Sequence, residues 1–436
     1  MQSLRVLLVA FHYPPEISAG VQRARIMERF LVERNCDVTL LVPQRIEQGL
    51  CGSRVLHVPL PRYLRRPRSP SDGVAGRRSN RFRRWVRRWL LVPDVFVGWS
   101  WAAAAAALRQ ARQAPWDLVI TSSPPESVHW IGWRLKRALD TPWLADFRDG
   151  WTLEPHREEI RLPIRGWFDR QLERCVIRHA SWVTANAQPV ADDFARRVPC
   201  ARDRIHVLPT GFLACDAAAH EREDGVFRLV YTGRFTLSWR EASPEPFFEG
   251  LQQAFHADRR FAERFRLVLV GEFTDAERAL WQGPPLDAVV EANPPCSYDE
   301  AMRWAARATM LLLVAPRGLR SVIPRKLFDY LAARRPILAV GGENEVSRML
   351  QETSAGICCP AEPGAIARKL LELFGLWLEG RLDREIPCSG NDRYRAEPHF
   401  ERVLGKVVLD ALLGLSAPPT ASTSSKGSIE SPGERR

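Results

Sequence analysis

The sequence predicts an α/β protein built from two doubly wound parallel-sheet domains. Short apolar runs rich in β-branched residues alternate with helix-patterned stretches, the mark of βαβ units. The alternation halts near residue 212 and begins afresh at Phe227. At 436 residues, 45% of them hydrophobic, the chain is too long for one ordinary core and apolar enough for two.

In the first unit, 1–212, strands are expected at Arg5–Ala10, Asp37–Val42, Asp117–Thr121, Trp143–Phe147, Trp182–Ala185 and Ile205–Leu208. Helices are expected between them at Val21–Arg34, Trp101–Gln113, Ser127–Leu139, Ile164–His179 and Pro189–Arg197. A polar link, 213–226, leads to the second unit, 227–395. Its strands fit Phe227–Thr232, Arg266–Val270, Ala288–Glu291, Thr309–Val314, Ile337–Val340 and Gly356–Cys359. Its helices fit Pro244–His256, Asp275–Trp281, Tyr298–Ala306, Pro324–Ala333, Glu345–Gln351 and Pro363–Leu378. Within 396–416, Phe400–Leu415 is an amphipathic helix placed to cross back and brace the first domain. The last stretch, 417–436, is Ser, Thr, Pro, Gly and charge, and is expected to be a disordered tail. No residue-level repeat relates the two halves.

Composition narrows the function classes. The nine cysteines form no C-x-x-C pair and no Cys/His cluster, so neither a disulfide framework nor a zinc site is indicated, and a reducing, cytoplasmic setting is expected. The apolar stretch Leu4–Phe11 runs into His12-Tyr13-Pro14-Pro15-Glu16 without a small-residue cleavage site and reads as a buried first strand. Leu90–Leu108 is broken by Pro93, Asp94 and Gly98 and does not read as a membrane span. Between Arg62 and Arg88 stand eleven arginines against one acid, Asp72, so this stretch holds +10 of the chain's +12. The charge is a local device.

In open parallel sheets, ligands bind beyond the carboxyl ends of the strands, so the loops that follow each strand are the places to look. Ser18-Ala19-Gly20 opens the first helix, whose first turns hold Arg23 and Arg25; free N–H groups and a positive dipole end suit a diphosphate there, or the segment is a tight turn with solvated arginines. Asp146, Arg148 and Asp149 follow a strand directly, and two carboxylates flanking a guanidinium orient sugar hydroxyls, accept a proton, or form a structural ion-pair cluster. Gly233 and Arg234 follow the first strand of the second unit, with Arg240 nearby, and arginine grips phosphate oxygens bidentately. Ser321–Ala333 carries the most information. Pro324 fits the start of a helix, and Lys326 in the first turn opposes the helix dipole, which points to an anionic partner. Asp329 lies three residues on, placed for a hydroxyl or for a surface ion pair.

The run Ile323-Pro324-Arg325-Lys326-Leu327-Phe328-Asp329-Tyr330 and its continuation to Val340 resembles the donor-site helix and strand of bacterial family 4 glycosyltransferases. His12–Glu16 with Gly20 and Arg23, Ser122–Ser127, and Trp143–Thr152 with its D-F-R-D-x-W-T pattern resemble that family in the same order. The resemblance spans most of residues 4–375. It implies a GT-B fold, two Rossmann-like domains facing a cleft, with a metal-independent and configuration-retaining transfer. It implies a nucleoside diphosphate sugar held mainly by the second domain through Gly233, Arg234, Arg240, Ser321, Lys326 and Asp329, assisted by Gly20 and Arg23, and an acceptor on the first domain; Asp146, Arg148 and Asp149 are the candidate catalytic residues. Two departures stand out. A pair of glutamates eight positions apart, common in the family, falls here on Ser321 and Asp329, and the lysine often found after the Gly-Arg turn is absent, with Arg240 as its candidate substitute.

Within the basic stretch, Phe82, Trp85, Val86, Trp89 and Leu90 recur at helical spacing with arginines between, an aromatic face opposite a cationic one. Arg77–Leu90 therefore suits the surface of an anionic membrane, with nucleic acid disfavoured and docking on the protein's own core the bland alternative. The expectation is a cytoplasmic enzyme at the inner face of the membrane. It moves a hexose-type sugar to a glycan or polyprenyl-diphosphate-linked acceptor for a cell-surface polysaccharide. The competing readings are a nucleotide-sugar epimerase of the same architecture, a catalytically degenerate binding protein and an RNA-binding protein.

Overall fold

The computed structural model describes residues 3–16, 19–64, 91–154, 160, 162–213, 225–237, 241–316 and 318–414. The amphipathic stretch Arg77–Leu90, Arg240 and the tail 417–436 lie outside the described residues, as does most of the link 213–226.

The first domain is a parallel sheet of β1 (Arg5–Val9), β2 (Asp37–Val42), β3 (Arg54–His57), β4 (Leu118–Ser123), β5 (Trp143–Phe147), β6 (Trp182–Ala185) and β7 (Ile205–Val207), in the order β3-β2-β1-β4-β5-β6-β7. Its helices are α1 (Ala19–Glu33), α2 (Val97–Ala111), α3 (His129–Leu139), α4 (Pro163–His179) and α5 (Gln188–Arg197). The strand order reverses between β1 and β4, so the loops after these two strands diverge and leave a crevice. Side chains alternate across β1: Leu7 and Val9 pack with Trp99, Ile131 and Trp143 on one face, while Val6 and Leu8 pack with Met27, Phe400 and Leu404 on the other.

The second domain is a parallel sheet of β8 (Phe227–Thr232), β9 (Phe265–Val270), β10 (Val290–Asn293), β11 (Met310–Val314), β12 (Ile337–Val340) and β13 (Gly356–Cys359), in the order β10-β9-β8-β11-β12-β13. It carries α6 (Glu245–Ala257), α7 (Arg259–Arg264), α8 (Asp275–Ala279), α9 (Tyr298–Arg307), α10 (Arg325–Ala333), α11 (Glu345–Thr353), α12 (Pro363–Leu378) and α13 (Leu382–Glu385). The order reverses again, at β8 and β11. Gly233 follows β8, and α10 follows β11.

The chain then returns. After Tyr394, α14 (Ala396–Phe400), a π turn (Glu401–Gly405) and α15 (Lys406–Leu412) lie on the first domain, where Phe400, Val403, Leu404, Val407 and Val408 are buried against β1 and α1. The two crossings between domains meet: the Phe212 N–H donates to the Tyr394 carbonyl at 3.1 Å, and the Ala396 N–H donates to the Phe212 carbonyl at 2.8 Å.

Two differences from the sequence expectation have simple causes. β3 was not expected because its four residues, at a sheet edge and largely uncovered, form no apolar run. β10 begins at Val290 and not Ala288, because Leu286–Ala288 forms a 3₁₀ turn first.

Candidate functional site

The loop after β5 is held from beneath. Trp151 Nε1 donates to Asp169 Oδ1 at 2.9 Å, and Thr152 donates to Glu173 through its N–H at 3.1 Å and its hydroxyl at 2.5 Å. Both carboxylates are buried on α4 and balanced by arginines, Arg165 on Asp169 at 2.6 Å and Arg197 on Glu173 at 2.6 Å. Burial raises the Glu173 pKa, and the Arg197 charge and the Thr152 hydrogen bonds only partly offset it. The tryptophan and threonine of the D-F-R-D-x-W-T pattern are thus anchors. They leave Arg148 and Asp149 at the rim, paired at 3.2 Å. Gly20 lies against Arg148 and His12, where a Cβ would stand 2.8 Å from the His12 Cβ. The N-terminus of α1 and this guanidinium share one spot, which favours an anion.

Asp146 and Arg23 lie elsewhere. Both are fully buried, joined through Arg23 Nε at 3.1 Å and through its Nη2; Arg23 Nη1 also donates to the Leu208 carbonyl at 2.8 Å. Asp146 further accepts the Ser122 and Thr184 hydroxyls, each at 2.6 Å. Burial is the largest influence on Asp146 and would raise its pKa. The Arg23 charge and the hydrogen bonds from Arg23, Ser122 and Thr184 together outweigh it and hold the carboxyl below its usual range. With every partner supplied internally, Asp146 has no room to act on a substrate and Arg23 none to grip a donor. This corrects the assignment of Asp146 as catalytic and of Arg23 as donor-binding: the pair is an internal tie from α1 to β5.

In the second domain, Gly233 follows β8 at φ +106°, and the neighbouring turn is so close that a Cβ on Gly271 would stand 1.9 Å from the Gly233 carbonyl oxygen. Beside this turn, Lys326 lies over the Tyr231 ring, 3.8 Å from its centroid, donating to the Tyr231 hydroxyl and, at 3.2 Å, to the Arg234 carbonyl. Among the described residues no carboxylate lies within ion-pair distance of Lys326. Burial pulls its pKa down to about 7, with Asp329 a weaker opposing influence. Arg234 reaches outward to Glu272 at 2.8 Å, both half exposed. Asp329 does not face Lys326. It accepts from Arg325 at 2.7 Å and from the Tyr298 hydroxyl at 3.1 Å, because the i,i+4 partner fits an α-helix better here than the i,i+3 one. Pro324 stands at the N-cap position, at φ −60° and ψ 132°, so α10 begins at Arg325, one residue after the expected start.

The domains touch at a residue that no sequence motif marked. Glu154, with φ +51°, sends its carboxylate across the seam. It accepts the Arg320 N–H at 2.6 Å, the Ser321 N–H at 2.8 Å and the Ser321 hydroxyl at 2.6 Å. Arg148, Asp149, Asn186 and Val322 line the same narrow pocket. Ser321 is thus served by a carboxylate from the opposite domain.

The structure therefore brings Gly20, Arg148, Asp149 and Ser321 to the seam. It gathers Gly233, Arg234 and Lys326 at the carboxyl end of β8, and it removes Arg23 and Asp146 to the interior. Sequence reasoning missed Glu154, Arg325 and Tyr231. The Tyr231 aromatic before the Gly-Arg turn was a usable signal, whereas the left-handed Glu154 backbone carries none. Among the described residues there is no cluster of three His, Cys, Asp or Glu that could hold a metal ion, and no helix is long and apolar enough to cross a membrane.

Residues 19–211 match the family model described as "Glycosyl transferase 4-like domain". No curated protein matches the sequence. Among solved structures, the chain is similar to a glycosyltransferase from Rickettsia africae (TM-score 0.61, 13% identity, 94% of this chain and 99% of that one). It is similar also to Anabaena HepE in complex with UDP (TM-score 0.63, 11% identity, 93% and 99%). A third is an α,α-trehalose-phosphate synthase (UDP-forming) from Burkholderia vietnamiensis (TM-score 0.64, 12% identity, 94% and 100%).

Proposed function

We propose that this chain, whose residues 19–211 match a glycosyl transferase 4-like domain and whose two-domain fold is of the GT-B type, transfers a hexose-type sugar from a nucleoside diphosphate sugar to a glycan or lipid-linked glycan acceptor, with retention of configuration and without a metal. The observation that carries this reading is Lys326: a cation in the first turn of α10, half buried over Tyr231 beside the Gly233-Arg234 turn, with a pKa pulled down to about 7 and, among the described residues, no carboxylate paired with it. An ammonium so placed is costly unless an anion arrives.

In this reading the bond from the anomeric carbon to the diphosphate breaks, its electron pair goes to the diphosphate, and a new bond forms to an acceptor hydroxyl, whose proton is lost. Lys326 and Arg234 meet the negative charge that develops on the leaving group. The nine-residue helix α10 adds its positive end. Arg148 and Asp149, with the start of α1, would orient the acceptor side. Asp329 could reach a ribose only by sharing with Arg325, which weakens that part of the inferred donor contact. Arg77–Leu90, with its arginines, would hold the enzyme at an anionic membrane where a polyprenyl-diphosphate-linked acceptor resides, consistent with assembly of a cell-surface polysaccharide.

The test is titration calorimetry of the full chain with UDP, GDP, TDP and ADP sugars, followed by NMR of the product's anomeric linkage. Binding of one nucleotide sugar that Lys326→Ala weakens by tenfold or more supports the reading. Wild-type protein that binds none of the four would sink it, and inverted product would sink its stereochemistry.

A further inference from the structure

We infer that the outer surface formed by α2, α3 and α4 of the first domain is a bilayer-facing surface that seats on anionic lipid, separate from the Arg77–Leu90 segment. The inference rests on the reading that the acceptor is membrane-borne.

The first observation is what the helices expose. Ile164, Trp167 and Phe168 on α4 are 64%, 52% and 49% exposed, Trp101 on α2 is 48% exposed and Leu139 on α3 is 43% exposed. Ile164, Trp167 and Phe168 follow at i, i+3 and i+4, so they share one helix face, and the Trp167 and Phe168 rings touch edge to face at 5.0 Å. Trp101 joins Trp130, centroids 5.6 Å apart, and Trp130 stacks on Trp133 at 4.6 Å. Soluble surfaces scatter their large apolar side chains singly; three adjoining helices that each present them are a patch with a purpose.

The second observation is charge. α2 and α3 contain no carboxylate, and the two on α4, Asp169 and Glu173, are fully buried under the loop they anchor. The outward cations are therefore opposed by no acid within these helices; the exposed acid next to them, Asp140 at the C-cap of α3, lies 3.5 Å from Lys136. Arg134 lies over the Trp101 ring at 5.0 Å and Arg137 over Trp133 at 5.7 Å, while Arg170 and Arg178 are exposed on α4. Guanidinium on indole, beside protruding aliphatic groups, is a combination that suits the headgroup layer of an anionic bilayer.

Other occupants fit less well. A second copy of this face would bring its own cations against themselves. Nucleic acid would use the arginines and rings but gain nothing from Ile164 and Leu139.

The decisive experiment is vesicle flotation of the full-length protein with phosphatidylglycerol mixed into phosphatidylcholine, and with phosphatidylcholine alone. Two variants are compared. W101S/W167S/F168S alters exposed positions only, and R134Q/R137Q removes charge while keeping length. The inference expects each to lower the bound fraction on anionic vesicles by about tenfold, with nucleotide-sugar affinity by calorimetry unchanged. Quenching of tryptophan fluorescence by brominated lipid should also fall in W101S/W167S/F168S. A third variant, with the arginines between Arg77 and Arg88 changed to glutamine, separates the two membrane readings. If it alone loses binding while the helix-surface variants float like the parent, the inference is overturned and the basic segment is the anchor. Equal flotation of all variants and parent, lipid-independent dimerisation through this face, or salt-sensitive RNA binding that the W101S/W167S/F168S variant abolishes, would each overturn it too.

Discussion

The charged residues of the two domains differ in who neutralises them. In the first domain, Asp146, Asp169 and Glu173 are buried, and each has its own arginine, Arg23, Arg165 and Arg197, together with hydroxyl, indole or backbone donors. In the second, Lys326 is seated on an aromatic ring with neutral partners only, and burial lowers its pKa to about 7. Internal pairs hold a loop in place; an unpaired cation waits for something from outside. Residue type alone does not separate these roles, since an arginine and an aspartate at the end of a strand suit both.

The sharpest way to break that contrast is at Asp146. Asp146→Ala strands Arg23 as an uncompensated buried charge and is expected to cost about 3–5 kcal/mol of stability by denaturant unfolding. If Asp146→Ala is as stable as the parent and loses only turnover, Asp146 is catalytic after all and the contrast collapses. Next in size is Lys326→Ala, expected to weaken nucleotide-sugar binding by about 10- to 100-fold, the worth of charge-assisted hydrogen bonds.

The same lysine gives a stability signature with a definite sign. Its folded pKa lies below the 10.5 of a free lysine, so the folded protein disfavours the proton and loses stability by it. That loss is full below pH of about 7 and fades as pH rises toward 10.5, the unfolded value. Lys326→Met should therefore raise Tm, most at low pH. A Tm that falls, or a gain that grows with pH, would contradict the buried cation.

Glu154→Ala removes three hydrogen bonds from the seam, and hydrogen exchange at the Arg320 and Ser321 amides should quicken by about tenfold. Unchanged exchange would mean the seam is held by other contacts. The smallest effect is a proton count. Nucleotide binding at about pH 8 should take up nearly one proton as a phosphate restores the Lys326 charge, read from the dependence of binding enthalpy on buffer.

The alternation of apolar runs and helix patterns made the two sheets legible, because strands buried on both faces must be continuous in apolar residues. β3 escaped for the opposite reason. Lys326 and the Gly233-Arg234 turn could be read because a cation at a helix start and a glycine after a strand are local anomalies. Arg23 and Asp146 misled, since they are 123 positions apart and nothing local shows that they bury each other. Glu154 meets Ser321 across 167 positions, and its left-handed backbone leaves no mark in the sequence. Arg325 took Asp329 from Lys326 by one step of helical spacing.

Where the chain passes between domains, Phe212 on the way out and Tyr394 to Ala396 on the way back are hydrogen-bonded to each other. Two separate crossings would allow the halves to slide, twist or splay. Joined, they act as one pin, and the remaining freedom is a swing about it. The three Glu154 hydrogen bonds are then a second tie between the halves, and any swing about the pin that parts the seam has to break them.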